Sequence, residues 1–324
     1  MQDLKKLIAK NPTYPKFVED KIDAMRKNFE IAKHLLNQRV SDDNFNSAFQ
    51  SFYEIINTIP LLKNSITIPQ IARARANFNG ELFTQKSEIS YNLKNQHKIE
   101  LGRFNRKGEP LFYGSLPVEN SKVDYIMACA LECCKELIDE ETSPDVQDFT
   151  ISGWIVEKPF DVITMCFDKK HLEKNPSLKL AVDGYISSIT EAFNSDTSGF
   201  IKEFMHYFSG LSSRLCKNDN SYYVLTALFV AIRYYYKTVE KQKILGMIYP
   251  SAMTESEGLN IVLTRYAVDN FLRLDKVVMY RYYLEKNEHK YIAYPCSKMA
   301  KVIGDSFSIP DYTTQAKYLK NMHL

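Results

Sequence analysis

The sequence predicts an α+β chain with a mixed β core, a helical arm before it and a helical insert within it. Three observations carry that expectation. Apolar residues recur near every 3.6 positions through the first seventy residues, short strand-like segments between turn residues follow, and helical periodicity returns from about 175 to 243 before strands resume.

In the arm, Phe17, Ile22, Met25, Phe29, Ala32 and Leu36 keep helical spacing. Phe45, Ala48, Phe49, Phe52 and Ile56 repeat it after the capping cluster Ser41-Asp42-Asp43-Asn44, and Pro60 and Pro69 bracket the exit. Two apolar stripes of this kind must be buried. Packing within the chain is the default, and an interface for a homo-oligomer or a regulator is the second option. The charges between the stripes are mixed in sign, which disfavours a nucleic-acid surface.

Ile68 to Ala76 reads as a strand carrying Arg73 and Arg75. Gly102, Gly108 and Gly114 punctuate the next stretch, allowing positive φ or close backbone approach around the strand Leu111-Phe112-Tyr113. Ser121 to Leu137 reads as a helix, ended by Asp139-Glu140-Glu141 and Pro144. Phe149 to Phe167 gives two strands either side of Pro159. Helices over 178–193, 201–208 and 222–239 form the insert, and strands resume over 246–249, 258–263 and 277–283. There is no internal repeat. The expected division is an arm over 1–67 and a catalytic domain over 68–324, with the insert at about 175–243.

Composition narrows the function. Of 324 residues, 45% are hydrophobic and 25% charged, enough for a sizeable core. Lys and Arg number 42 against 39 Asp and Glu, so a net charge of +3 gives no general attraction for polyanions. The six cysteines form no CxxC pair, and the six histidines are scattered with no HExxH, so no metal is expected. Free thiols suit a reducing compartment. The N-terminus lacks a signal-peptide pattern, and the most apolar run, Leu225 to Ile232, is far shorter than the roughly 20 residues that span a bilayer. A soluble, cytoplasmic protein without membrane partners is expected. No GxSxG elbow, P-loop or GxGxxG occurs, so Ser251 is no hydrolase nucleophile by motif.

What remains is distributed. Arg73, Arg75 and Arg103 lie in or beside strand-like segments, and surface salt bridges are their plain reading. Arg103 stands apart, because Gly102 precedes it and Phe104-Asn105 follow; a guanidinium there suits a phosphate or pyrophosphate. Glu132 lies within the small, apolar run Ala128-Cys129-Ala130-Leu131-Glu132-Cys133-Cys134. A carboxylate is costly to bury unless paired or used, although most helical glutamates simply face water. Tyr113 could stack on a flat ring or belong to the core.

Taken in order, Arg73-Ala74-Arg75, Gly102-Arg103-Phe104-Asn105 with Gly108 to Tyr113, Glu132, Ile248-Tyr249-Pro250-Ser251 and Gly258-Leu259-Asn260 resemble the RES domain family. The resemblance covers roughly Ile68 to Tyr283, and Ser221 to Thr226 is similar to the insert of longer members; the arm is extra to the minimal domain. It implies an ADP-ribosyltransferase-like fold that takes NAD as substrate, with no further cofactor, and breaks the nicotinamide–ribose bond as a glycohydrolase or a phosphorylase. It implies Glu132 as the catalytic carboxylate, Arg73 and Arg103 on the pyrophosphate or ribose, Tyr113 beside the nicotinamide, Ser251 lining the pocket and Asn260 supporting it. Arg75 competes with Arg73 for the first position. Members of the family act as NAD-consuming toxins of toxin–antitoxin pairs or transfer ADP-ribose to a target, so a growth-inhibiting toxin or defence effector with an antitoxin or regulatory partner is expected. The alternatives are an ADP-ribosyltransferase with a protein or nucleic-acid target, and an inactive binding module.

Overall fold

The computed structural model describes residues 2–67, 70–78, 80–121, 124–133, 146–214, 219–254, 257–285 and 290–312. The expected helix end at Asp139 to Pro144, together with Cys134 and Cys216, lies outside the described residues.

In chain order, α1 (Gln2–Lys10) and α2 (Tyr14–Glu19) lead into α3 (Ile22–His34). The Ser41 hydroxyl then accepts the Asn44 amide and starts α4 (Asp42–Ile56), which meets the capping expectation. Next come β1 (Lys63–Ile66), β2 (Gln70–Asn77), α5 (Lys86–Ile89), β3 (Phe112–Leu116) and α6 (Tyr125–Cys133). Strands β4 (Val146–Val156) and β5 (Phe160–Thr164) straddle Pro159. The insert holds α7 (Lys169–Lys174), α8 (Pro176–Ala192), α9 (Ser195–Ser212) and α10 (Asp219–Thr238). Asp168, Asn175 and Asn194 cap the first three of these. The chain continues through β6 (Gly246–Pro250), β7 (Leu259–Leu263), α11 (Arg265–Phe271), β8 (Leu272–Glu285), β9 (Lys290–Pro295), β10 (Ala300–Ile303) and β11 (Ser306–Phe307). The molecule is thus α+β with mixed strand pairing: β5 and β6 are parallel, and the other registered pairs are antiparallel.

The chain divides into two compact units. The first joins Met1–Ser65, His97–Glu109 and Asp161–Ala252, so the arm shares a unit with the insert. Its strands run in the order β1-β5-β6. Helix α3 packs on α4 and α9, and α4 packs on α10. Phe29 sits at the centre of that packing, its ring 5.3–5.9 Å from those of Phe200, Phe204, Tyr207 and Phe208. Phe52 meets Phe208, and Phe45 meets Tyr223. Most of the arm's stripe is therefore buried within the chain: Met25, Phe29, Ala32, Phe45, Ala48, Phe52 and Ile56 are buried, Ile22, Leu36 and Phe49 are half-buried, and Phe17, on the separate short helix α2, is exposed.

The second unit comprises Ile66–Gln96, Pro110–Phe160 and Met253–Leu324. Its strands run β7-β3-β2-β4-β8-β10-β11, with β9 also on β8. Helix α6 covers one face, packing on β2, β3 and β4. Strand β2 alternates strictly: Ala72, Ala74 and Ala76 join Phe149, Ile151, Cys129 and Ala130 under the helix. Arg73 and Arg75 therefore point to the opposite face. Gly114 permits close approach of β3 to β2, since a Cβ there would lie 2.8 Å from the Ala72 carbonyl oxygen and 2.7 Å from Ile71. Strand β8 reaches well beyond the expected 277–283, because it pairs with β4 from Leu272 to Tyr283 and also with β10 and β9.

Candidate functional site

Of the residues singled out by sequence, Glu132, Tyr113, Asn260, Arg73 and Arg75 belong to the second unit, and Arg103 and Ser251 to the first.

Glu132 and Asn260 come together. Asn260 Nδ2 donates to Glu132 Oε1 at 2.8 Å. Asn260 Oδ1 in turn accepts from Ser115 Oγ, also at 2.8 Å. Ser115 and Asn260 are register partners on β3 and β7, which puts their side chains on one face, and each is 1% exposed. Glu132 itself is half-buried near the end of α6, so its carboxylate is fixed from the sheet side while solvent still reaches it. Tyr113, two residues before Ser115 on β3, shares the same face by strand alternation and is half-buried.

Cys129 lies three positions before Glu132, on the same side of α6, with its thiol within hydrogen-bonding reach of Ser115 and the Ala74 backbone. Burial pushes that thiol up to about 12, and the neighbouring Cys133 adds to the effect. Cys129 is thus a packing residue at working pH.

Arg73 stands across the sheet from Glu132. Its Nε donates to the Ile89 carbonyl at 3.1 Å and its Nη1 to the Tyr113 carbonyl at 2.6 Å, with the guanidinium 4.9 Å from the Phe112 ring centre. Burial lowers its pKa to about 10, Arg75 contributes in the same direction, and the guanidinium remains a cation at neutral pH. These bonds tie β2 to β3 and α5. Arg75 lies on the same side, 5.4 Å from the Phe83 ring.

In the first unit, Arg103 is buried, with its Nη1 donating to the Ser212 carbonyl at the end of α9. The rings of Tyr222 and Tyr249 lie 5.8 and 5.7 Å from the guanidinium. The loop carrying it is fixed at both ends: Thr226 Oγ1 donates to the Gly102 carbonyl at 3.1 Å, and Asn105 Nδ2 to the Glu100 carbonyl at 2.9 Å. Phe104 is wholly buried against Phe229 and Tyr249. Ser251 follows the fully buried strand β6 and is itself 1% exposed.

Ser115 is the residue that sequence reading missed. Its signal was present: a serine two positions beyond Tyr113 on one strand must share that residue's face. Among the described residues, no group of three or more His, Cys, Asp or Glu could hold a metal ion, and no helix is long and apolar enough to cross a membrane. No protein-family profile matches the chain, and no curated protein is significantly similar to it.

Proposed function

We propose that the chain takes NAD as substrate and cleaves its nicotinamide–ribose bond, with Glu132 as the catalytic carboxylate. The observation that carries this reading is the fixed position of that carboxylate: half-buried, bonded on one oxygen by the Asn260 amide, and backed by the buried Ser115. The order of the sequence motifs supplies the substrate class and an ADP-ribosyltransferase-like fold.

The chemistry calls for such a group. The bond between the ribose anomeric carbon and the pyridinium nitrogen breaks with its electron pair going to nitrogen, so nicotinamide leaves neutral and positive charge develops on the ribose. A carboxylate already in place stabilises that charge more in the transition state than in the ground state, without reorganising. Water then adds to the anomeric carbon and gives up a proton, leaving ADP-ribose. Tyr113, on the same sheet face, is assigned to the nicotinamide side. Arg103 and Ser251 enter through the motif order, as binder of the diphosphate or ribose and as pocket residue. Arg73 acts as a positioning residue, since its donors hold backbone carbonyls of β3 and α5. The biological role that follows is a growth-inhibiting toxin or defence effector, restrained by a partner protein.

Incubating the purified chain with NAD and separating the products tests the reading. Nicotinamide and ADP-ribose in equal amounts are expected. Intact NAD after prolonged incubation overturns it.

A further inference from the structure

We propose that Ser115 is a positioning residue for the reaction: its hydroxyl sets which end of the Asn260 amide meets Glu132. The inference rests on the reading of Glu132 given above and extends it to a residue that carries none of the sequence motifs.

An ionised carboxylate accepts hydrogen bonds and donates none, so only the Nδ2 end of the amide can face it favourably. An amide side chain is nearly symmetric in shape and can present either end to a neighbour. The group at its far end decides between the two. Here that group is Ser115 Oγ, which donates to Asn260 Oδ1 at 2.8 Å and leaves Nδ2 directed at Glu132 Oε1 at 2.8 Å. Both side chains are 1% exposed, so bulk water does not compete for either end of the amide. The backbone supports the arrangement, because Ser115 and Asn260 face each other in register across β3 and β7. Cys129, one turn before Glu132 on α6, is buried in the cluster that includes Ala72, the register partner of Ser115 on β2.

Without the hydroxyl, the amide loses the partner that fixes its direction. Glu132 then meets the donor end for only part of the time, and its alignment on the ribose suffers while NAD binding elsewhere is untouched. Loss of a hydrogen bond to a charged group corresponds to roughly 10- to 100-fold in rate. For Ser115→Ala we expect kcat to fall roughly tenfold with KM within about twofold, and for Asn260→Ala a fall of roughly 100-fold. Ser115→Cys, isosteric but a weaker donor, falls between wild type and Ser115→Ala.

The test combines turnover with a spectroscopic signature that needs no substrate. Nicotinamide release is measured for wild type, Ser115→Ala, Ser115→Cys, Asn260→Ala and the Ser115→Ala/Asn260→Ala double variant, each checked by its thermal midpoint. The side-chain amide resonance of Asn260 is followed in asparagine-labelled wild type, Ser115→Ala and Ser115→Cys. A serine that acts through Asn260 leaves the double variant no slower than Asn260→Ala alone, and Ser115→Ala shifts the Asn260 resonance. Multiplicative losses in the double variant, or an unshifted resonance with wild-type turnover, overturn the inference. If wild type releases no nicotinamide while the Asn260 resonance still shifts, the positioning chain stands and the NAD reading falls.

Discussion

Glu132 and Cys129 are three residues apart on α6, and the groups that meet them, Asn260 and Ser115, are register partners on adjacent strands. One helical step thus matches one strand spacing, and that match gives a helical glutamate a fixed partner in place of water. The glutamate was legible in the sequence as an anomaly in an apolar run. Its partner was legible only through the order of motifs, because pairing of β3 with β7 joins residues 145 positions apart. The face occupied by Arg73 was legible in principle: Ala72-Arg73-Ala74-Arg75-Ala76 alternates small and cationic residues, and the small side is the one a helix can approach. Reading the arginines as strand residues without assigning their face left open whether they meet the glutamate. Arg103 has a sharper test. Lysine keeps the charge but loses the planar fork. Arg103→Lys is expected to raise the KM for NAD about tenfold with a smaller change in kcat. An unchanged KM with a lowered thermal midpoint would reduce Arg103 to a strut between its loop and the Ser212 carbonyl.

Among the elements, those marked by an apolar stripe or a proline were legible, and several formed by pairing or announced by a cap alone were not. Helix α4 declared itself through Ser41 and its apolar stripe, and β4 and β5 through Pro159. Strands β10 and β11 are four and two residues long and made by pairing on β8 and on each other, so periodicity could not reveal them. Helix α7 also escaped, although its cap is strong. Asp168 Oδ1 accepts the Lys170 and His171 amides at 3.0 and 3.3 Å and lies 3.0 Å from His171 Nδ1. Burial alone would raise the Asp168 pKa, but the bonds from His171 and Lys170 outweigh it and hold the carboxyl below its usual range. A carboxyl depressed on folding stabilises above its unfolded value and loses that contribution as the pH falls through the folded one. Asp168→Ala should therefore cost about 1 kcal/mol at neutral pH, and the gap to wild type should close as the pH falls below about 4. Urea titrations at the two pH values measure it. A gap of equal size in acid would mean that the loss is packing rather than capping.

At the scale of the whole molecule, the sequence suggested an arm ahead of a catalytic domain, whereas the contacts join that arm to the insert in one compact unit. Linear order could not show this, because α9 and α10 follow α3 and α4 by more than a hundred residues. The aromatic residues were the available signal: Phe29, Phe45 and Phe52 meet Phe208, Tyr223 and their neighbours. Each such side chain contributes about 1.5–3 kcal/mol when buried, so removing the arm strips several large burial contributions from this unit at once. Deleting residues 1–66 is expected to yield insoluble or non-cooperatively unfolding protein. A soluble, cooperatively folding deletion variant would show the arm to be dispensable. The central claim is that Glu132, held by Asn260, breaks the nicotinamide–ribose bond. The most direct measurement is nicotinamide release from NAD by wild type and Glu132→Gln side by side, with both thermal midpoints recorded. The account requires measurable release by wild type and a loss of roughly 10²–10³ in the equally stable variant. Equal release by the two proteins, or none from wild type, would contradict it.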